Sequence, residues 1–251
     1  MVISGPNDCY ESRVGKASLL PLPQLTPPIM DISISNLLPS YKKTQPIYTN
    51  RLVLRPFQWT DLPQLYKLRT TPEVMQWTSQ GAIDTSMEQT RQWMQKYIED
   101  AGLESVPRRN FNFVVRLRTD NLEGSIKPQS EDASTFIGVC GLPSLDSLPV
   151  SPIPSLGYIY LPEFWGKGYA TEAAIGFQDE WRRLITLGRQ VHSIPPGSRP
   201  DMYNLLAVTD VENLGSAQVL RKCGYTMYEE VEENGLQLLR WIVDSSATTT
   251  S

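Results

Sequence analysis

Apolar positions recur at two spacings along this chain, and the alternation between them outlines its elements. Arg51-Leu52-Val53-Leu54-Arg55, closed by Pro56, predicts a short strand. Helical spacing follows over Asp61–Arg69, with Thr60 or Asp61 at the cap and Leu62, Leu65 and Leu68 on one side. A second helix is predicted over Ser86–Ile98, its apolar side carrying Met87, Trp93, Met94, Tyr97 and Ile98. Strands are then predicted over Phe111–Leu117 and Thr135–Leu142 and, after a Pro-rich connector, over Leu156–Leu161. A Gly-rich turn opens a helix running from about Ala170 to Leu184. Past a Pro/Gly-rich loop, Arg189–Pro200, come a strand at Asn204–Thr209 and a short helix at Asn213–Cys223 ended by Gly224. Two last strands, Thr226–Val231 and Leu236–Val243, are joined by Asn234-Gly235, a strong hairpin signal. The pattern is that of one α/β domain over residues 47–244.

Outside it the periodicity fails. Residues 1–46 are rich in Pro and Ser, and Pro21, Pro23, Pro27, Pro28, Pro39 and Pro46 would interrupt any helix. We expect an extension there, partly disordered or draped over the domain, and a disordered tail at 245–251. Composition adds exclusions. With 40% hydrophobic and 20% charged residues, the 251-residue chain has the make-up of a soluble globular protein. A net charge of −4 gives no basic footprint for nucleic acid. Cys9, Cys140 and Cys223 are too few and too scattered for a disulfide framework or a zinc site. No apolar run approaches the roughly 18–20 residues that span a bilayer, and no signal-peptide pattern is present. The expected location is cytoplasmic.

Chemistry enters at Trp165-Gly166-Lys167-Gly168-Tyr169-Ala170, which sits between a strand and a helix. A helix N-terminus presents unpaired N–H groups and the positive end of its dipole, and glycines let the preceding backbone converge on an anion. Ala170 keeps the approach open, and Lys167 adds charge at the rim. The spacing selects among guests. Gly166-Lys167 is followed by Gly168 where a P-loop needs Ser or Thr. Thr171 stands where a dinucleotide fingerprint wants its third glycine, and no acidic residue closes a second strand about 20 residues on. Taken alone, the turn also fits a tight strand-to-helix connection with no ligand.

This run resembles the acyl-CoA pyrophosphate loop of the GNAT (Gcn5-related N-acetyltransferase) superfamily, Gln/Arg-x-x-Gly-x-Gly/Ala. It is most similar to the branch of ribosomal-protein alanine N-acetyltransferases. Thr49-Asn50-Arg51-Leu52-Val53-Leu54-Arg55-Pro56 with Asp61-Leu62 is similar to that branch's opening strand and first helix. Asn213-Leu214-Gly215-Ser216, ending at Lys222-Cys223-Gly224-Tyr225, is similar to its second cofactor motif. The likeness covers roughly residues 48–244. It implies a GNAT fold: a central mixed, mostly antiparallel sheet, splayed between its fourth and fifth strands and flanked by helices. It implies acetyl-CoA as cofactor, no metal, and direct attack by a primary amine in a ternary complex. The acceptor would be a protein N-terminus or a small molecule, and the protein a monomer or homodimer. The departure from the pattern is Trp165, where Gln or Arg is usual.

The resemblance also assigns residues. Ile159, Tyr160 and Leu161 would meet the pantetheine arm. Trp165, Gly166, Lys167, Gly168, Tyr169, Ala170 and Thr171 would hold the diphosphate. Asn213 and Ser216 would contact the arm and the leaving sulfur. Asn213 equally suits a helix N-cap, and Ser216 a solvated helix position. The helix tyrosine that serves many family members as general acid is replaced here by Leu220. For catalysis Ser216, Tyr160 and Glu172 are the candidates, although Glu172 also reads as an acid complementing the helix dipole. Tyr158, Asp210, Glu212, ordered water and His192, the only histidine, are alternatives at the acceptor side. A non-catalytic acyl-CoA-binding protein of the same fold is the rival reading.

Overall fold

The computed structural model describes residues 34–98, 110–118, 134–145, 153–194 and 203–244. The expectations for residues 1–33 and for the tail at 245–251 lie outside them. Among the described residues, eight strands and five α-helices follow in the order β1 (Ile47–Tyr48), β2 (Leu52–Arg55), α1 (Leu62–Arg69), α2 (Pro72–Met75), α3 (Met87–Ile98), β3 (Phe111–Leu117), β4 (Phe136–Leu142), β5 (Gly157–Tyr160), α4 (Tyr169–Val191), β6 (Asn204–Asp210), α5 (Leu214–Lys222), β7 (Thr226–Glu233) and β8 (Leu236–Asp244). The strands form two sheets, β1-β2-β3-β4-β5 and β6-β8-β7, with every ladder antiparallel.

A single parallel bridge, Ser155 to Leu206, joins the two sheets. There Leu156 N donates to Leu206 O at 2.8 Å and Leu206 N to Pro154 O at 2.9 Å. Beyond it β5 and β6 do not pair, so the sheet is splayed where the resemblance placed the opening. The short β1 shifts the count by one.

Two cores explain the apolar runs. Phe111, Phe113 and Tyr158 on one face pack with Phe177 and Trp181 of α4 and Leu220 of α5. Val114, Val139 and Ile159 on the other meet Phe57, Leu65, Leu68, Met94 and Tyr97 from the α1–α3 side. β4 and β5 are buried at every position, because helices cover both faces. Where Val115 faces Gly138 and Arg116 faces Phe136, Ile137 is left as the extra residue of a β-bulge. The Asn234-Gly235 hairpin forms as expected, with φ of 52° and 77°. Gly224 closes α5 in a Schellman motif, with Tyr225 N on Leu220 O and Gly224 N on Arg221 O.

α4 corrects the sequence reading. It runs seven residues past Leu184, through part of the expected loop, because Ile185, Gly188 and Arg189 continue its buried stripe. Its two interior glycines, each costing about 1 kcal/mol against Ala in a helix, are explained by what they admit. A Cβ on Gly188 would lie 2.8 Å from Leu37 Cβ, and one on Gly176 would lie 2.6 Å from Thr49 Cγ2. The 3-10 turn Ile34–Leu37 and Thr49, just after β1, therefore rest directly on the helix.

Candidate functional site

The Gly-rich turn leaves β5 through a 3-10 turn at Pro162–Phe164 and an extended Trp165. Gly166 (φ 72°) and Gly168 (φ 80°) both occupy the left-handed region, which costs any other L-residue roughly 1–2 kcal/mol. Gly168 is also the residue before the first turn of α4, and Glu172 N to Gly168 O (3.0 Å) is the first helical bond. The amides of Tyr169, Ala170 and Thr171 thus have no i−4 carbonyl and point along the helix axis out of the protein. A 23-residue helix stands behind them, so its dipole end is well formed. A groove of about 900 Å³ starts at Gly168 and Thr171 and runs along α4 between Thr49 and Lys222.

Next to this turn lies the unpaired inner edge of β5. Leu161 N donates to Ile137 O (3.0 Å), towards β4, whereas Leu156 N points to β6. Backbone groups of alternate residues point the same way along an antiparallel strand. The amide of Ile159 therefore also turns to β4, and those of Tyr158 and Tyr160 turn into the splay. Of the three residues expected along the arm, Tyr160 thus has its amide on the open side, and Ile159 and Leu161 have theirs on the β4 side.

The Trp165 indole donates to Tyr160 O at 2.7 Å and closes the outer end of that edge, with the ring still 46% exposed. The sequence showed the substitution but not this bond.

From the other side comes the start of α5. Asn213 caps it, its side chain accepting from Ser216 N at 3.0 Å. The cap role is therefore present. Ser216 is 3% exposed and its hydroxyl makes no hydrogen bond. Buried polar groups are nearly always paired, so this hydroxyl is an exception with a hydrogen bond left to give. It is not a solvated helix position. Tyr158 reaches the same turn, its hydroxyl donating to Ser216 O at 3.3 Å.

The remaining candidates fare differently. The Glu172 carboxylate takes three bonds, from Thr49 Oγ1 (2.6 Å), Arg51 N (2.7 Å) and Arg51 Nε (2.6 Å). Burial alone raises its pKa, but these bonds outweigh burial and leave it below the usual value, a poor setting for a proton acceptor. Tyr160 points its ring into the α4–α5 core at 6% exposure, and its hydroxyl makes no hydrogen bond. Burial, with the neighbouring Cys140 thiol, pushes that phenol well above its usual range, so it stays protonated. His192 is exposed at the far end of α4, roughly 34 Å from the turn at 1.5 Å per residue. Asp210, at the end of β6, accepts from Glu212 N at 2.8 Å, and Glu212 itself is exposed. Burial raises both Cys140 and Cys223, the latter to about 12, as for inert thiols. Among the described residues no group of three or more His, Cys, Asp or Glu is placed to hold a metal, and no helix is long and apolar enough to cross a membrane.

One contributor escaped the sequence reading. Arg51, in the loop before β2, donates from Nη1 to Lys167 O (3.1 Å) and stacks over the Tyr169 ring at 4.5 Å. Its only sequence signal was membership of the opening motif.

Comparison with known proteins agrees with this geometry. Residues 51–226 match the family model for the acetyltransferase (GNAT) domain. The N-acetyltransferase p20 of Bacillus licheniformis is 28% identical over 156 residues, 62% of this chain and 76% of that protein. Among solved structures, the ribosomal L7/L12 alpha-N-protein acetyltransferase RimL in complex with coenzyme A superposes with a TM-score of 0.57 at 17% identity, covering 80% of this chain and 98% of that one. A GNAT-family acetyltransferase from Bacillus anthracis gives 0.54 at 17% identity, over 81% and 100%. The spermidine N-acetyltransferase of Vibrio cholerae gives 0.50 at 16% identity, over 79% and 98%.

Proposed function

Because the chain belongs to the acetyltransferase (GNAT) domain family, we propose that it moves the acetyl group of acetyl-CoA to a primary amine by direct attack in a ternary complex. The observation that carries this reading is the alignment of two anchors on one side of the splay. The bare α4 amides suit a diphosphate, and the unpaired edge of β5 suits an amide-containing arm running inward from it.

Each residue then has a task. Gly166 and Gly168 shape the turn so that the amides of Tyr169 to Thr171 converge on the diphosphate. The Tyr158 and Tyr160 amides hold the arm as a strand would and keep the thioester carbonyl in line. The amine nitrogen attacks that carbonyl carbon, the C–S bond breaks, and the electron pair leaves on sulfur. The orphan Ser216 hydroxyl donates a hydrogen bond to the departing sulfur. The amine's proton goes to water, because Glu172 is held by Arg51 and Thr49, Tyr160 is buried and protonated, and His192 is remote. Asp210 and Glu212 supply negative charge at the mouth of β6 for a cationic acceptor. Relatives of this fold named for a ribosomal protein and for spermidine bracket the acceptor classes we propose, a protein N-terminus or a small amine.

Leu220, fully buried in α5, favours one rival, a protein that binds acyl-CoA without turnover. Calorimetry with CoA, then thiol release from acetyl-CoA against a panel of peptides and small amines, separates the readings. We expect binding that weakens at least about tenfold in Gly168→Val, since a β-branched residue at φ 80° is strained and its side chain covers the amides. Unaltered binding in a folded Gly168→Val protein removes the site assignment. Binding without thiol release across the panel favours the rival.

A further inference from the structure

Arg51 does more than tie the loop down. Four of its contacts are already described: backbone N and Nε to Glu172, Nη1 to the Lys167 carbonyl, and the stack on Tyr169. They fix the plane of the guanidinium and use one side of its fork. Nη2 is left over. It lies 3.4 Å from where a Cβ on Gly168 would sit, so it stands at the rim of the turn whose amides face outward. The Arg51 side chain is 43% exposed there, open to an incoming anion.

Charge points the same way. Glu172 lies in the first turn of α4, where a bare carboxylate would compete with an anion for the helix end. Paired with Arg51, its charge is balanced there. Lys167, the cation within the turn, leans over the Phe164 ring at 5.6 Å. Arg51 is thus the cation held rigidly against the turn, and a planar fork with donors to spare suits phosphate oxygens.

We infer that Arg51 is a ligand of the cofactor's diphosphate, reaching across from the loop before β2 to complete the α4 turn with Nη2. The inference rests on the acyl-CoA reading above. It makes the loop before β2 a part of the cofactor site.

The test compares affinity for CoA, dephospho-CoA and pantetheine in the wild type, Arg51→Met and Glu172→Gln, with melting curves for all three proteins. Dephospho-CoA keeps the diphosphate and lacks the 3′-phosphate, and pantetheine lacks both. In Arg51→Met the preference for CoA over pantetheine should shrink about tenfold or more, and that for dephospho-CoA over pantetheine equally. Glu172→Gln, which keeps the guanidinium and removes one negative charge, should hold or increase both preferences. Unchanged preferences in a folded Arg51→Met protein overturn the inference alone. So does a loss confined to CoA against dephospho-CoA, which would put Arg51 on the 3′-phosphate. An equal loss of both preferences in the two variants would mean that the clasp only braces the loop, and also overturns it. Absence of CoA binding by the wild type would take down the acyl-CoA reading and this inference together.

Discussion

Gly138 of β4 is the most demanding position for the mechanism, although it touches no expected ligand. A Cβ there would lie 2.3 Å from Ile159 O, 2.7 Å from Tyr160 Cδ1 and 2.9 Å from Tyr160 Cα. Two of those atoms are backbone of β5, and side-chain rotation cannot move them. To reach even 3.0 Å from Ile159 O, Gly138→Ala must push β5 away by about 0.7 Å. Overpacking of this kind costs about 1–3 kcal/mol. For a chain of this size that is a fall in Tm of roughly 2–12 °C at 2–4 °C per kcal/mol. The larger effect should be on rate. The displaced strand carries the Tyr158 and Tyr160 amides that align the thioester, and a misplacement near 1 Å costs on the order of 100-fold. Differential scanning fluorimetry and kcat/KM for acetyl-CoA with the best acceptor test both. A Gly138→Ala enzyme with wild-type melting and wild-type kcat/KM would show that β5 need not move or that its position is immaterial, and would refute the reasoning.

Two further outcomes follow from the same geometry. Trp165→Phe removes the indole bond to Tyr160 O while keeping an aromatic ring. Its KM for acetyl-CoA should change several-fold with little change in Tm, and identical kinetics would mean that this bond is incidental. The Glu172 carboxylate has a folded-state pKa below the ordinary 4.5, so its clasp stabilises the protein above that value and is lost as pH falls through the folded-state pKa. The melting advantage of wild type over Glu172→Gln should therefore be complete above pH 4.5 and vanish on further acidification, and a gap that persists into strong acid would contradict the ion pair.

Much of this was legible in the chain. Leu52–Arg55, Phe111–Leu117 and the Asn234-Gly235 hairpin announce themselves because local periodicity and turn chemistry decide them. So does the turn at Gly166–Gly168, since only glycines adopt two left-handed residues so cheaply. The end of α4 was not legible. The helix continues past Leu184 because Leu37, some 150 positions earlier, rests on Gly188. Nor were the roles of Glu172 and Tyr160, whose types suit proton transfer but whose surroundings do not.

The division has one physical cause. The Trp165–Ala170 turn, the two apolar periods and the α5 cap are local, set by dihedral preference and by spacing within a few residues. By itself the sequence determined that a phosphate-sized anion suits the start of α4 and that Asn213-x-x-Ser216 begins the next helix but one element on. Which groups are available for chemistry depends on what each meets across the fold. Arg51 meets Glu172 121 positions away and silences it, β4 claims the Leu161 amide, and the Ser216 hydroxyl meets no hydrogen-bond partner. Only the tertiary structure decided those, because charge, burial and hydrogen-bond supply at a site are set by neighbours distant in the chain.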